Sequence, residues 1–358
     1  MYWVRIRSGR GEAPASARLV PMTILVTGGA GYIGSLTARL LAERGREVVL
    51  LDSLERGCRA AARDLPLVVG DVADPSTVRA VVDEHRVDAL VHFAAYKAAG
   101  ESMEQPGRYF RNNVGATAAL LESAAGAGVE RVVFSSSAAV YGTPDALPVT
   151  EAAPLRPESP YGESKALVEA MLGWLDRLGG LRSVSLRYFN AAGAWPDGSL
   201  GEDWTLTTNL VPVVMKALLG RRPPLQVFGS DYPTPDGTAI RDYVHVVDLA
   251  EAHLAALCHL ESGGASAAVN LGTGVGSSVR EVLDAAERAS GRPVPHELAP
   301  RRPGDPVAVY ADNRLAAELL GWKPRLGLDD IVASAWAWHS SHPDGYPAGG
   351  HHPDGHGS

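Results

Sequence analysis

A glycine turn set between a short apolar strand-like run and a helix-favouring run limits this chain more than any other feature. Residues 23–34 read Thr-Ile-Leu-Val-Thr-Gly-Gly-Ala-Gly-Tyr-Ile-Gly, and a leucine- and alanine-rich stretch continues to Arg44. The run predicts a buried strand and the stretch predicts a helix, joined by a G-x-x-G-x-x-G turn. In such a unit Gly28 permits the tight turn, Gly31 lets the backbone approach a pyrophosphate, and Gly34 lets the helix pack on the strand. Tyr32 and Ile33 open the helix, whose spare N–H groups and positive end receive an anion. A second strand over 47–51 ends in Asp52, where an acid would bind the adenosine ribose hydroxyls. Its charge opposes a 2′-phosphate, so NAD is expected rather than NADP. Asp71 and Val72, after the next strand, are expected to meet the adenine.

The rest of the first half repeats this alternation. Strands are predicted at 23–27, 47–51, 67–69, 88–92, 131–135 and 182–187, and helices at 32–44, 76–85, 108–127 and 163–178. That rhythm specifies an α/β fold, a Rossmann-type doubly wound parallel sheet. After Asn190 the rhythm changes to long loops rich in Gly, Pro and Asp. The expected division is a dinucleotide-binding domain over 22–189 and a smaller C-terminal substrate-binding lobe over 190–340, with 240–272 returning to the first. Residues 1–21 read as a disordered extension, with Met22 standing directly before the first strand. Residues 341–358, which hold His351 and His352, read as a flexible solvated tail.

Composition narrows the function classes. An apolar content of 46% supports a real core, and a net charge of −8 with no basic stripe argues against a nucleic-acid binder. The 2 cysteines, Cys58 and Cys258, lie far apart and in no metal-ligand pattern, which fits reduced thiols in the cytoplasm. No metal site is expected, and no apolar run reaches the ~20 residues that span a membrane.

The chemistry is expected in Ser159-Pro160-Tyr161-Gly162-Glu163-Ser164-Lys165. Tyr161 and Lys165 stand at i and i+4, on one face of a helix. A tyrosine with a pKa of about 10 is a poor base at neutral pH, and a neighbouring ammonium favours its phenolate. The pair is then a proton-transfer device aimed at an alcohol.

With these residues in view, the chain resembles the extended short-chain dehydrogenase/reductase superfamily, and within it the UDP-glucose (UDP-galactose) 4-epimerases. The markers are TGGAGYIGS, HFAAYKAAGES, NNVGAT, FSSSAAVYG, SPYGESK, LRYFNAAGA, RDYVHVVDLA, LGTGVGSSV and APRRPGD, with HPDGYP late in the chain. The resemblance implies reversible inversion of sugar C4 through a 4-keto intermediate, with NAD retained as a catalytic group. It implies that Ser137 bonds the sugar O4, that Tyr161 takes the O4 proton, and that Lys165 holds the nicotinamide ribose and lowers the Tyr161 pKa. It places Phe93, Ala94, Ala95, Lys97, Asn112, Ser135 and Tyr188 around the cofactor. Asn190, Asn209, Leu210, Arg241, Arg302 and Asp305, with Lys97, would hold the nucleotide sugar. For Arg241 a structural salt bridge is the rival reading. A homodimer built on helices 108–127 and 163–178 is also implied.

Neighbouring activities need different residues. A nucleotide-sugar 4,6-dehydratase would carry Asp-Glu where this chain has Ala138-Ala139. A UDP-glucuronate 4-epimerase, which needs contacts for the substrate carboxylate, is the alternative enzyme. A non-catalytic NAD-sensing protein would lack the Tyr161–Lys165 pair. Val309 stands four residues after Asp305, where relatives restricted to UDP-glucose and UDP-galactose often carry a tyrosine. A valine there would admit UDP-N-acetylhexosamines, and a one-residue slip would put Tyr310 at that gate. His92, His245 and His253 read as packing residues, and Trp336 and Trp338 as core or interface.

Overall fold

The computed structural model describes residues 22–203, 207, 209–302 and 304–346. The extension at 1–21, and His351 and His352 in the tail, lie outside the described residues. Six strands build the first half: β1 (Thr23–Thr27), β2 (Glu47–Asp52), β3 (Leu67–Val69), β4 (Ala89–His92), β5 (Arg131–Ser137) and β6 (Arg182–Tyr188). With Ala267–Leu271 they form a 7-stranded sheet in the order Ala267–Leu271, β6, β5, β4, β1, β2, β3. Every pairing in it is parallel. A parallel sheet is covered on both faces, which is why β1 and β4 are buried at every position.

Side chains alternate between the two faces. Ile24 and Val26 pack with Leu41, Leu249 and Leu257 on one side, and Leu25 packs with Val78, Leu120, Phe134 and Leu172 on the other. The first layer holds helices Tyr32–Glu43 and Val246–Glu261; the second holds Pro75–His85, Thr117–Gly126 and Pro160–Gly179. Strand order reverses between β1 and β4, and parallel sheets present their ligand crevice outside the carboxyl ends of the strands at such a point.

Two helices differ from their sequence expectations for local reasons. The helix expected at 163–178 runs Pro160–Gly179, because Ser159 caps it by accepting from the Gly162 N–H at 3.2 Å and Pro160 occupies its first turn. Gly180 ends it at φ 74°. The helix expected at 108–127 begins at Pro106 and passes through a π-helical stretch, Phe110–Ala116, before Thr117–Gly126. Such a stretch often marks a functional site.

The smaller lobe has its own core, in which Val214, Met215, Leu283, Ile331 and Val332 are buried together. Short strands join it to the main sheet. Asn190–Ala192 pairs with Tyr243–His245, and Ile240–Arg241 pairs with Ala308–Val309. Asp242, fully buried between these strands, accepts from the Thr273 N–H and hydroxyl at 2.8 and 2.6 Å and from the Ala311 N–H at 3.1 Å.

Candidate active site

Because all seven strands run one way, their carboxyl ends bring distant segments to one edge. Gly28 to Gly34 follow β1, Asp52 ends β2, and Asp71 and Val72 follow β3. Phe93 to Lys97 follow β4, Ser135 and Ser137 end β5, and Tyr188 ends β6. The sequence candidates for the cofactor thus share one edge, with Asn112 in the π-helical stretch beside it.

The glycine turn forms a cradle that side chains would fill. Gly28 has φ +68°, and a Cβ there would lie 2.7 Å from the Ala94 nitrogen. A Cβ on Gly34 would lie 2.2 Å from the Gly28 carbonyl oxygen. The helix Tyr32–Glu43 is capped at Gly31 without a side-chain hydrogen bond and has no acid in its first turn. Its positive end is therefore free to meet an anion. Asp52 accepts from the Ala30 N–H at 3.0 Å and the Leu54 N–H at 2.8 Å. Burial raises its pKa and those two bonds oppose the rise. The acid therefore braces the turn at the end of β2, where the sequence places a ribose-binding carboxylate. These features fit NAD.

The three catalytic candidates come together on two elements. Ser137 ends β5 and accepts from the Ala139 N–H at 3.1 Å. Tyr161, half-buried in the first turn of its helix, has a raised phenol pKa. Burial is the main cause; a hydrogen bond with Ser137 and the charge of Lys97 act the other way. Lys97 is thus a second cation near the phenol, in addition to the Lys165 expected from the sequence. The Lys165 ammonium lies 5.9 Å from the Tyr161 ring centroid and donates to the Ser135 carbonyl at 2.8 Å. A four-carbon stem on the shared helix face reaches the strand end instead of the phenol. Burial lowers the Lys165 pKa to about 7, with the Glu169 charge opposing.

Lys97 bonds Glu202 at 2.9 Å and lies 5.9 Å above the Tyr32 ring. Tyr188 pairs its hydroxyl with that of Ser135. His92 is wired into the core between the Thr27 and Thr117 hydroxyls at 2.7 and 2.8 Å, and His245 caps a helix.

The nucleotide-sugar candidates form a second group. Arg241 meets Asp305 at 3.4 Å and donates to the Pro306 carbonyl at 2.9 Å, so the salt bridge weighed as its rival role is present. The Asn190 amide donates to the Asp242 carbonyl at 3.0 Å. Asn209 and Leu210 begin the helix Leu210–Leu218, and the Arg302 guanidinium stacks 3.8 Å from the Phe228 ring centroid. Val309 pairs in register with Arg241 and packs against the buried cluster of Val140, Tyr141 and Val149. Tyr310 points the other way, beside Gly276.

Sequence reasoning missed four polar features, one of them an ion pair. Glu202 lies 3% exposed in a loop and holds Lys97. Asn113 accepts from the Tyr96 N–H at 2.9 Å and donates to the Ser164 hydroxyl at 3.0 Å, tying the segment after β4 to the helix of Tyr161. Glu169 and Arg187 form a buried ion pair, and Ser136 donates to Glu169. Asp242 is the fourth. Two signals were present: Glu169 stands one turn beyond Lys165, and Arg187 is a charge near the end of a strand that the sequence predicts to be buried.

With this geometry described, likeness to known proteins decides the family. Residues 24–272 match the NAD dependent epimerase/dehydratase family. The chain belongs to that family. A UDP-glucose 4-epimerase of Streptococcus mutans is 50% identical over 329 residues, covering 91% of this chain and 99% of the relative. The UDP-glucose 4-epimerase of Bifidobacterium longum, solved with NAD+ and UDP, superposes with a TM-score of 0.85 at 42% identity, covering 91% of this chain and 100% of that one. The UDP-Glc/GlcNAc 4-epimerase of Campylobacter jejuni superposes at 0.80 with 39% identity, covering 89% and 99%.

Proposed function

We propose that this chain interconverts UDP-glucose and UDP-galactose by inverting the sugar at C4, with NAD as a resident group. The observation that carries this reading is the meeting of Ser137 and Tyr161 at the sheet edge that also bears the glycine cradle. Tyr161 removes the O4 proton and later returns it. Ser137 orients O4 and steadies the phenolate through their shared hydrogen bond. Lys97 lowers the cost of that phenolate, and Lys165 ties the first turns of the helix to the end of β5. NAD held at this edge would supply a reversible hydride acceptor for C4, which allows inversion with no net oxidation. Gly31 and the N–H groups of Tyr32 and Ile33 hold the pyrophosphate, Asp52 the adenosine ribose, and Asp71 and Val72 the adenine. Phe93, Ala94, Ala95, Asn112 and Tyr188 line the nicotinamide half.

For the substrate, Arg241 and Arg302 bind the diphosphate, with Asn190, Asn209, Leu210 and Asp305 around the nucleotide. Val309, packed against the Val140, Tyr141 and Val149 cluster, is the residue we assign to the wall of the sugar pocket, and its small side chain leaves room for an N-acetyl group. The chain then also accepts UDP-N-acetylhexosamines, in line with its likeness to the UDP-Glc/GlcNAc 4-epimerase of Campylobacter jejuni. Ala138 and Ala139 offer no proton-transferring group, against a 4,6-dehydratase.

We assign 22–189 with 240–272 to the NAD-binding domain and the rest of 190–340 to the nucleotide-sugar lobe. The protein works in the cytoplasm as a homodimer. Helix Pro160–Gly179 carries Leu167, Trp174 and Leu178 at 41%, 59% and 81% exposure, an apolar stripe suited to a second copy. No described helix is long and apolar enough to cross a membrane. The direct test is incubation with UDP-galactose and separation of products. Tyr161→Phe should cut turnover by about 10²- to 10⁴-fold while NAD stays bound; near-normal turnover would refute the assignment of the base.

A further inference from the structure

Apart from the catalytic groups, a set of charged and aromatic side chains joins two loops at the adenosine end of the sheet edge. The loop after β2 carries Glu55 and Arg56; the segment after β4 and the helices that follow carry Tyr96, Glu101 and Arg108. Arg108 donates to Glu55 at 2.7 Å and to Glu101 at 3.2 Å. Arg56 donates to Glu101 at 3.0 Å, and the Tyr96 hydroxyl donates to Glu55 at 2.7 and 2.8 Å. Both guanidinium groups also lie over the Tyr96 ring, at 4.4 Å for Arg108 and 5.5 Å for Arg56.

Each side of this bridge is anchored. Glu101 accepts from the hydroxyl of fully buried Tyr109 at 2.9 Å. In the other loop, Gly57 packs so closely on Asp52 that a Cβ would lie 2.7 Å from its carboxylate. Topology gives the bridge its meaning. β2 and β4 are the two neighbours of β1 in the sheet, so contacts between the loops that follow them straddle the glycine turn that follows β1.

We propose that Glu55, Arg56, Tyr96, Glu101 and Arg108 form an ionic latch that retains the dinucleotide, so that cofactor leaves only after the two loops part. The proposal rests on NAD being the resident group. The ion-paired side chains are 25% to 38% exposed, open enough for salt to reach. A fully buried pair would tie the loops permanently; half-exposed pairs can open and close.

The test measures release of NAD from the purified holoprotein. Protein is diluted, filtered at intervals, and NAD in the filtrate is assayed in 20 and 500 mM NaCl. High salt should accelerate release from the wild type. Glu55→Gln, which weakens the contacts of Arg108 and Tyr96 together, should accelerate release at low salt by about 3- to 10-fold, the sum of a few half-exposed contacts. Its release should also lose most of the salt dependence. Tyr96→Phe, which removes one hydroxyl, should give a smaller increase in the same direction. Asp145→Asn, in the exposed Asp145–Arg156 pair elsewhere, serves as the control and should leave release unchanged. Release that is equal in wild type, Glu55→Gln and Tyr96→Phe, and indifferent to salt, overturns the latch while NAD binding stands. A protein that holds no NAD overturns both readings.

Discussion

Replacing Glu169 with alanine should destabilise this protein more than most single changes, and a second change should repair much of the loss. The Glu169 and Arg187 side chains are only 8% and 7% exposed. Arg187 donates to Glu169 at 3.0 and 3.1 Å from its Nε, and to the Tyr141 hydroxyl at 2.9 Å. Without Glu169 the guanidinium remains buried with Tyr141 as its remaining named partner, and an uncompensated buried charge costs about 3–5 kcal/mol. A chain of this length loses roughly 1.3 °C of Tm per kcal/mol, so the melt should fall by roughly 4–7 °C. Glu169→Met combined with Arg187→Met removes the charge and the need for a partner. Tyr141 keeps its bond to Asn270 at 2.7 Å, and Ser136 loses its partner at a cost of about 1 kcal/mol. The double variant should therefore melt within about 3 °C of wild type, because about 1–2 kcal/mol remains lost. Thermal unfolding of the three proteins at one NAD concentration checks this. A Glu169→Ala melt within 2 °C of wild type, or a double variant less stable than the single, would refute the reasoning.

Other outcomes follow from the site. Lys97→Met should raise the pKa of Tyr161 further; since the base is the deprotonated phenol, turnover at pH 7 should fall and the acid limb of the pH–rate profile should move to higher pH. A limb that stays in place would remove Lys97 from that role. Val309→Tyr should abolish interconversion of UDP-N-acetylglucosamine and UDP-N-acetylgalactosamine while sparing UDP-galactose, with both pairs assayed on one preparation. Trp174→Glu with Leu178→Glu should convert a dimeric mass by light scattering to a monomeric one; a wild type that is already monomeric counts against the stripe as an interface.

Much of the fold could be read directly because its signals are local. The apolar runs at β1, β2, β4 and β5 predict buried parallel strands, since a sheet covered on both faces needs side chains of one kind on both. The glycine turn was legible for the same reason: the positive φ of Gly28 and the contact of Gly34 with the Gly28 carbonyl are properties of neighbours in the chain. Ser159 and Pro160 announce a helix start, although the expected helix began at 163 and the structure begins it at Pro160.

What the sequence left undecided depends on residues far apart. That Tyr161 and Lys165 share a helix face follows from spacing alone. Which cations stand near the phenol depends on where the end of β5 and the segment after β4 fall in space, and the fold brings Lys97 there as well as Lys165. The register that turns Val309 toward the Val140, Tyr141 and Val149 cluster, and Tyr310 toward Gly276, is set by pairing with Ile240–Arg241, 68 positions earlier for each pair. Likewise the partners of Glu202, Asp242 and Arg187 come from other elements of the fold. Local propensity and period are written in a stretch of chain, and composition and motif narrowed the chemistry to one edge of one sheet. The electrostatics of that edge are fixed by burial and by charges brought in from distant segments, and only packing determines both.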